Sequence, residues 1–252
     1  MQQRCLRKDR IMRVLCVIPA RYASTRLPGK PLKDIAGKPM VVRVYERASQ
    51  AQRVAETIVA TDDARIVQAV EQAGGKAMLT RADHPTGTDR LAEVAAAHPE
   101  AELIINVQGD EPLIEPALID ALAAAFDDDV ELQMATVKTE ITDAAEQQNP
   151  NNVKVVTDKN GYALYFSRSL LPYLRHTGTP VYKHIGIYAY KRDFLLQYAK
   201  MATTPLEQAE SLEQLRALEN GYRIKVIETQ AHFVGVDTEE DLEKVRAIYA
   251  QQ

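Results

Sequence analysis

The stretch RVLCVIPARYASTRLPGKPL, residues 13–32, decides the fold class. Its first part, Val14 to Ile18, is an unbroken apolar run stopped by Pro19. A strand with one wet face alternates apolar and polar side chains, so an unbroken run belongs to a strand covered on both faces, as in a parallel sheet. The rest is a long loop with three cations (Arg21, Arg26, Lys30), hydroxyls at Ser24 and Thr25, and Gly29, which lets a ligand approach the backbone.

Outward from that strand the chain alternates short β-rich runs with helical patterns. Pro39 opens a helix to about Ala51, and residues 57–60 form the next strand. Asp62 or Asp63 caps a helix with Ile66, Val67 and Val70 on one face, ended by Gly74 and Gly75. A short strand at 76–79, a helix at 89–97, a strand at 103–107 and a helix from Pro116 to Phe126 follow. This rhythm predicts a three-layer α/β fold with a mostly parallel sheet between helices. The second half is less regular. Strands are expected near 131–138, 153–157, 162–166, 184–190 and 224–229. Helices are expected at 191–200, from Pro205 to Glu219, and from Thr238. No linker or repeat is visible, so residues 13–252 read as one domain with an inserted, partly antiparallel lobe at about 150–200. Residues 1–12 lack the apolar segment of a signal peptide. They read as a disordered extension or as residues upstream of the natural start.

Composition excludes several function classes. With 252 residues and 46% hydrophobic side chains, the chain can bury roughly three quarters of its unfolded surface. No apolar run approaches the ~20 residues of a membrane span. Two cysteines without a CxxC pair argue against structural zinc and a disulfide framework, and favour a reducing, cytoplasmic setting. The net charge of −4 conceals an asymmetry: residues 1–43 hold eleven Lys or Arg against two Asp, a net of +9, so the remainder carries −13. A net-acidic chain is a poor general nucleic-acid binder. A basic segment in an acidic body suits a small polyanion.

A parallel sheet places its site at the strand C-termini, which directs attention to the loop 19–32. No two glycines are spaced GxG, so the dinucleotide fingerprint of dehydrogenases is absent. A Walker A loop needs glycine where Ser24 stands and Ser or Thr where Pro31 stands. Arginine forks and a lysine point charge still suit phosphate oxygens. Pro31 disfavours a helix continuing out of Gly29 and Lys30.

The pattern Arg21-x-x-Ser24-x-Arg26-Leu27-Pro28-Gly29-Lys30-Pro31-Leu32 after a first strand resembles the signature loop of sugar nucleotidyltransferases. The variant with Ile18-Pro19-Ala20-Arg21-Tyr22 is similar to that of the 3-deoxy-manno-octulosonate (KDO) cytidylyltransferases. Later blocks follow in order: 60–62 (ATD), 87–90 (GTDR), 106–112 (NVQGDEP), 163–168 (ALYFSR), 184–188 (HIGIY), 212–216 (LEQLR) and 235–238 (GVDT). The resemblance implies a Rossmann-like, mixed but mostly parallel sheet of the nucleotide-diphospho-sugar transferase type. It implies transfer of CMP from CTP to KDO, Mg²⁺ as cofactor, and a homodimer.

The resemblance also assigns residues. Arg21, Arg26, Lys30 and Asp110 would be catalytic. CTP would be held by Arg21, Ser24, Arg26, Lys30, Thr86, Gly87, Arg90 and Asp110, with Arg90 reading the cytosine edge. KDO would meet Gln108, Arg168, His184, Tyr188, Glu213 and Gln214, with Arg168 on the carboxylate. Mg²⁺ would sit on Asp110 and Asp237. From the residues alone, Asp237-Thr238 reads as a helix cap, Thr88 as the cap of its own helix, His184 as a structural histidine, and Glu213 as a solvated helix position beside Leu206, Ala209, Leu212 and Leu215. The run Asp127 to Asp129 reads as a solvated turn. Residues 172–183 depart most from the family pattern, which leaves open another 2-keto sugar acid, such as 8-amino-KDO or a sialic acid. A non-catalytic nucleotide-binding regulator on the same fold is the alternative from a different class.

Overall fold

In the computed structural model, strand β1 (Val14–Ala20) runs through the centre of the sheet. Residues 12–23, 27–127, 129–176, 178–231 and 234–251 are described. Ser24 and Arg26 of the signature loop therefore lie outside the description, as does the expected extension apart from Met12, which packs against the core.

The small hairpin β2 (Asp34–Ile35) and β3 (Lys38–Pro39) follows β1. The main path then takes β4 (Val54–Thr61), β5 (Ala77–Leu79), β6 (Leu103–Asn106) and β7 (Met134–Ile141). β8 (Lys154–Thr157) and β9 (Ala163–Ser167) lie off that path, and β10 (Val181–Lys191) and β11 (Ile224–Glu228) complete it. The spatial order is β11-β7-β10-β6-β1-β4-β5. Only β10 runs against its neighbours on this path, antiparallel to both β6 and β7. β8 and β9 form an antiparallel hairpin hung on β10, which is the partly antiparallel lobe.

The helices α1 (Met40–Ala48), α2 (Ala64–Gln72), α3 (Gly87–Ala97) and α4 (Pro116–Ala124) separate the parallel strands. α5 (Ala144–Gln148), α6 (Arg192–Tyr198), α7 (Pro205–Glu210), α8 (Leu215–Glu219) and α9 (Glu239–Tyr249) complete the set. Alternate residues of β1 serve opposite layers. Val14, Cys16 and Ile18 pack with α1, α2 and α4; Leu15 and Val17 pack with α3, α6 and α8. Two apolar faces explain the unbroken apolar run.

Several expectations need correction. Thr86, not Thr88, caps α3: its hydroxyl accepts from Asp89 N while Asp89 bonds back to Thr86 N. Pro39 is the residue before α1 rather than its first turn. Lys30 to Leu32 make one 3₁₀ turn after Gly29, whose φ of +67° suits glycine. The helix expected from Pro205 to Glu219 is broken. Ser211 adopts φ +51°, so α7 stops at Glu210 and α8 begins at Leu215. Glu207 pairs with Arg216 across the break, Nε to Oε2 at 2.8 Å, and both are buried. Leu212 and Leu215 turn inward while Leu206 remains exposed.

Candidate functional site

Strand order reverses between β1 and β6, because β4 and β5 lie on one side of β1 and β6 on the other. The loops leaving the carboxyl ends of β1 and β6 therefore diverge and leave a crevice between them. Arg21 leaves β1 there and its guanidinium donates to the His84 carbonyl, tying the signature loop to the loop before α3. Tyr22 is clamped between Gly29, where a Cβ would meet its hydroxyl at 3.2 Å, and the Arg65 guanidinium, 3.6 Å from its ring centre. Asp63 holds Arg65 through Nε at 2.9 Å and Nη2 at 2.6 Å.

Lys30 is the meeting point. Its Nζ donates to Asp110 Oδ2 at 2.6 Å, to Asp237 Oδ1 at 3.2 Å and to the Val236 carbonyl at 2.9 Å. Burial alone would lower the Lys30 pKa, but the charge and hydrogen bond of Asp110, then those of Asp237, hold it above the ordinary lysine value. Asp110 comes from the exit of β6, where Gly109 passes so close to β1 that a Cβ would lie 2.8 Å from the Pro19 carbonyl. Asp237 comes from the far end of the chain, just before α9. Thr238, not Asp237, caps that helix, which leaves the aspartate carboxylate to Lys30. Val236 N donates to Asp110 O at 2.9 Å and clips the two loops together. The two aspartates brought together from 127 positions apart are those expected to hold the metal.

Glu111, the next residue, was not anticipated. Its carboxyl is enclosed, and Oε2 has no hydrogen-bond partner among the described residues. Burial first, then the charge of Asp110, raises its pKa to about 8.

Below the crevice, on the α3 side of the sheet, lies a cavity of about 180 Å³. Gln108, Tyr188, Glu213 and Gln214, which the resemblance assigned to the sugar acid, line it together. Gly87, assigned to CTP, also lines it, as do Asn106 and Thr88, which had been given no ligand role. The break at Ser211 turns Glu213 and Gln214 inward, and the Tyr198 hydroxyl fixes the turn by donating to the Glu213 carbonyl at 2.6 Å. Burial raises the Glu213 pKa, against a hydrogen bond from Thr88 and the charge of Arg216. Gln108 donates to the Gly186 carbonyl at 3.2 Å, where β10 slips register against β7. Asn106 Oδ1, Glu213 Oε1 and Gln214 Nε2 are all buried without a hydrogen-bond partner among the described residues.

Three assigned residues do not line this cavity. Arg90 is fully buried; it donates to Thr80 Oγ1 and, at 3.1 Å, to Asp62 Oδ2, while its Nε has no hydrogen-bond partner among the described residues. Arg168 is outside the cavity. Its Nε donates to the Glu210 carbonyl at 2.7 Å and its Nη1 to the Pro150 carbonyl at 3.1 Å, which secures the turn leading to Glu213. His184 is buried against Phe166 and shares a 2.9 Å hydrogen bond with Thr136; burial lowers its pKa to about 3. Thr86 spends its hydroxyl on the α3 cap. On the α4 side, Asp127 pairs with exposed Arg53 and Asp129 accepts from the Tyr162 hydroxyl, as suits a surface turn; Asp128 lies outside the described residues.

The sequence and the fold match known proteins. The family model described as cytidylyltransferase matches residues 15–226. A 3-deoxy-manno-octulosonate cytidylyltransferase of Geobacter sulfurreducens is 56% identical over 246 residues, covering 93% of this chain and 98% of the relative. One from Fusobacterium nucleatum is 55% identical over 235 residues, covering 93% and 96%. A solved structure of CMP:2-keto-3-deoxy-manno-octonic acid synthetase complexed with CTP superposes with a TM-score of 0.91 at 52% identity, covering 95% of this chain and 99% of that one.

Proposed function

The chain belongs to the cytidylyltransferase family, and from that membership we infer that it transfers CMP from CTP to the anomeric hydroxyl of KDO, giving CMP-KDO and pyrophosphate. One observation carries the reading. The exit of β6 presents Asn106 and Gln108 to a polar cavity and, two residues on, Asp110 to the Lys30 cluster. A single short segment thus joins a pocket suited to hydroxyls with a centre suited to phosphate.

The anomeric oxygen attacks the α-phosphorus of CTP in line, the bond to the bridging oxygen of pyrophosphate breaks, and the hydroxyl proton is lost to solvent. Protein groups do little covalent work in such a displacement; positioning and charge neutralisation dominate. Lys30 and Arg21 neutralise phosphate charge, and the clamp on Tyr22 holds the two ends of the signature loop in place. Gln108, Glu213 and Gln214 orient the sugar acid. The resemblance extends these roles to Ser24 and Arg26.

The cluster also fits Mg²⁺. Three oxygens, from Asp110, Asp237 and the Val236 carbonyl, already converge on one ammonium, and magnesium favours one or two carboxylates completed by phosphate oxygens and water. Asp110 and Asp237 would hold the ion, which when bound neutralises the triphosphate and polarises the α-phosphate. Among the described residues no helix is long and apolar enough to cross a membrane. Together with the nucleotide substrate this supports a cytoplasmic location. The exposed Leu164 and Tyr173 of the lobe support pairing of two chains through it.

The test is pyrophosphate release from CTP against a panel of sugar acids, with and without Mg²⁺. Turnover with KDO that stops in excess chelator is expected. Turnover with a different sugar acid alone would replace the acceptor, and full turnover in chelator would remove the metal.

A further inference from the structure

Asn106 occupies the last position of β6 and is 4% exposed. Two residues earlier on the same face, Ile104 packs among the apolar side chains under α3 and α6. The strand partners of Asn106 are Val17 and Tyr188. Packing alone would place an apolar residue here, because a buried amide without a partner costs stability. The carboxamide oxygen nonetheless has no hydrogen-bond partner among the described residues, and Asn106 lines the cavity together with Glu213 and Gln214.

The three unpartnered atoms differ in kind. Asn106 Oδ1 accepts, Gln214 Nε2 donates, and Glu213 Oε1 accepts when the carboxyl is ionised. Hydroxyl groups both donate and accept, so a polyhydroxylated ligand completes all three. An apolar ligand would leave them buried and unpaired.

We propose that Asn106 is a specificity-determining residue of the acceptor site, its Oδ1 accepting a hydrogen bond from one hydroxyl of the sugar acid. This rests on the reading that the cavity receives the sugar acid. Sites built to hydrogen-bond a substrate hydroxyl discriminate strongly against analogues that lack it, since the protein group is then left buried and unpaired. Gln108, unlike Asn106, has its amide anchored by one N–H donated to the Gly186 carbonyl.

The experiment is steady-state kinetics on the wild-type protein, Asn106→Leu and Asn106→Ser. The substrates are CTP and KDO, together with KDO analogues each lacking one hydroxyl. Melting temperature is followed in parallel. In the wild type, one analogue should show a KM raised about tenfold or more. In Asn106→Leu the KM for KDO itself should rise to a similar degree, that analogue should lose nothing further, and the KM for CTP should stay within about twofold. If Asn106→Leu does not fold, Asn106→Ser carries the same comparison. A variant that discriminates among the analogues as the wild type does, or that raises both KM values equally, overturns the proposal. A wild-type protein that releases no pyrophosphate with KDO overturns the functional reading itself, a distinguishable result.

Discussion

The Lys30 cluster and the cavity below it lie on the same strand exit, yet they treat their polar groups in opposite ways. Around Lys30 the charged groups are hydrogen-bonded to one another before any substrate arrives: one ammonium with two carboxylates and a carbonyl within 3.2 Å. In the cavity, three buried polar atoms are left unmatched. Charges cannot be left bare in a low-dielectric crevice, because their desolvation is too costly, so the cluster assembles its own counter-ions. Two of the three belong to neutral amides, which cost less when unpaired, and burial raises the pKa of the third, Glu213, which favours its neutral form. The cavity thus keeps its hydrogen-bonding capacity for a ligand. One region thus supports the fold while it waits; the other draws on stability to gain selectivity.

The largest effect that tests this contrast is expected at Asp110. Asp110→Asn removes the shortest ionic partner of Lys30 and one of the oxygens suited to the metal. Turnover at saturating CTP and KDO should fall by on the order of a thousandfold, as for loss of a principal electrostatic group. Retention within tenfold would show that the cluster is structural only.

A smaller effect, on stability, is expected at Glu111, which stands at the cluster but behaves like the cavity. Its folded-state pKa is raised to about 8, so between about 4.5 and 8 the native protein holds a proton that the unfolded chain releases. Wild-type stability therefore declines as pH rises through that window. Glu111→Gln removes the titration, and its advantage over the wild type should grow from pH 5 to pH 8, to on the order of 2 kcal/mol. Urea melts at both pH values measure it, and a difference that does not change with pH would place Glu111 among the matched groups.

The smallest effect is expected at Arg168, which the family resemblance placed on the substrate carboxylate and the structure places on main-chain carbonyls. Arg168→Ala should lose about 1–3 kcal/mol of stability, a drop of several degrees in Tm, with the KM for CTP unchanged. A KM defect confined to KDO at unchanged Tm would return Arg168 to the acceptor site.

Legibility followed burial. The first half of the chain could be read closely because its strands are apolar on both faces and its helices carry caps, as at Asp63 and the Gly74-Gly75 stop. The charged centre was readable too, since Lys30, Asp110 and Asp237 stand in short, recognisable blocks. The cavity was less so. Asn106 did carry a signal, a polar residue ending an otherwise apolar strand, but its neighbours in space, Gly87, Tyr188 and Glu213, are scattered along the chain. The segment from Pro205 to Glu219 has helical periodicity throughout, and nothing local announces that Ser211 will turn left-handed.

Local pattern and composition were thus enough for the parallel α/β core and the phosphate-suited loop, because apolar periodicity and short motifs are properties of neighbouring residues. The pairing of Asp110 with Asp237 came only from the family resemblance, since Asp237-Thr238 by itself reads as a helix cap. Folding in three dimensions determined how Arg90, Arg168 and His184 are used. The family resemblance assigned each of them to a ligand, although His184 read from the residues alone as a structural histidine. In the packed molecule Arg90 is enclosed by Asp62 and Thr80 and His184 by Phe166 and Thr136, while Arg168, only half-buried, is held by the carbonyls of Glu210 and Pro150, partners all remote in sequence. A polar group taken out of water must find a partner nearby, and which partners are nearby depends on contacts between distant parts of the chain.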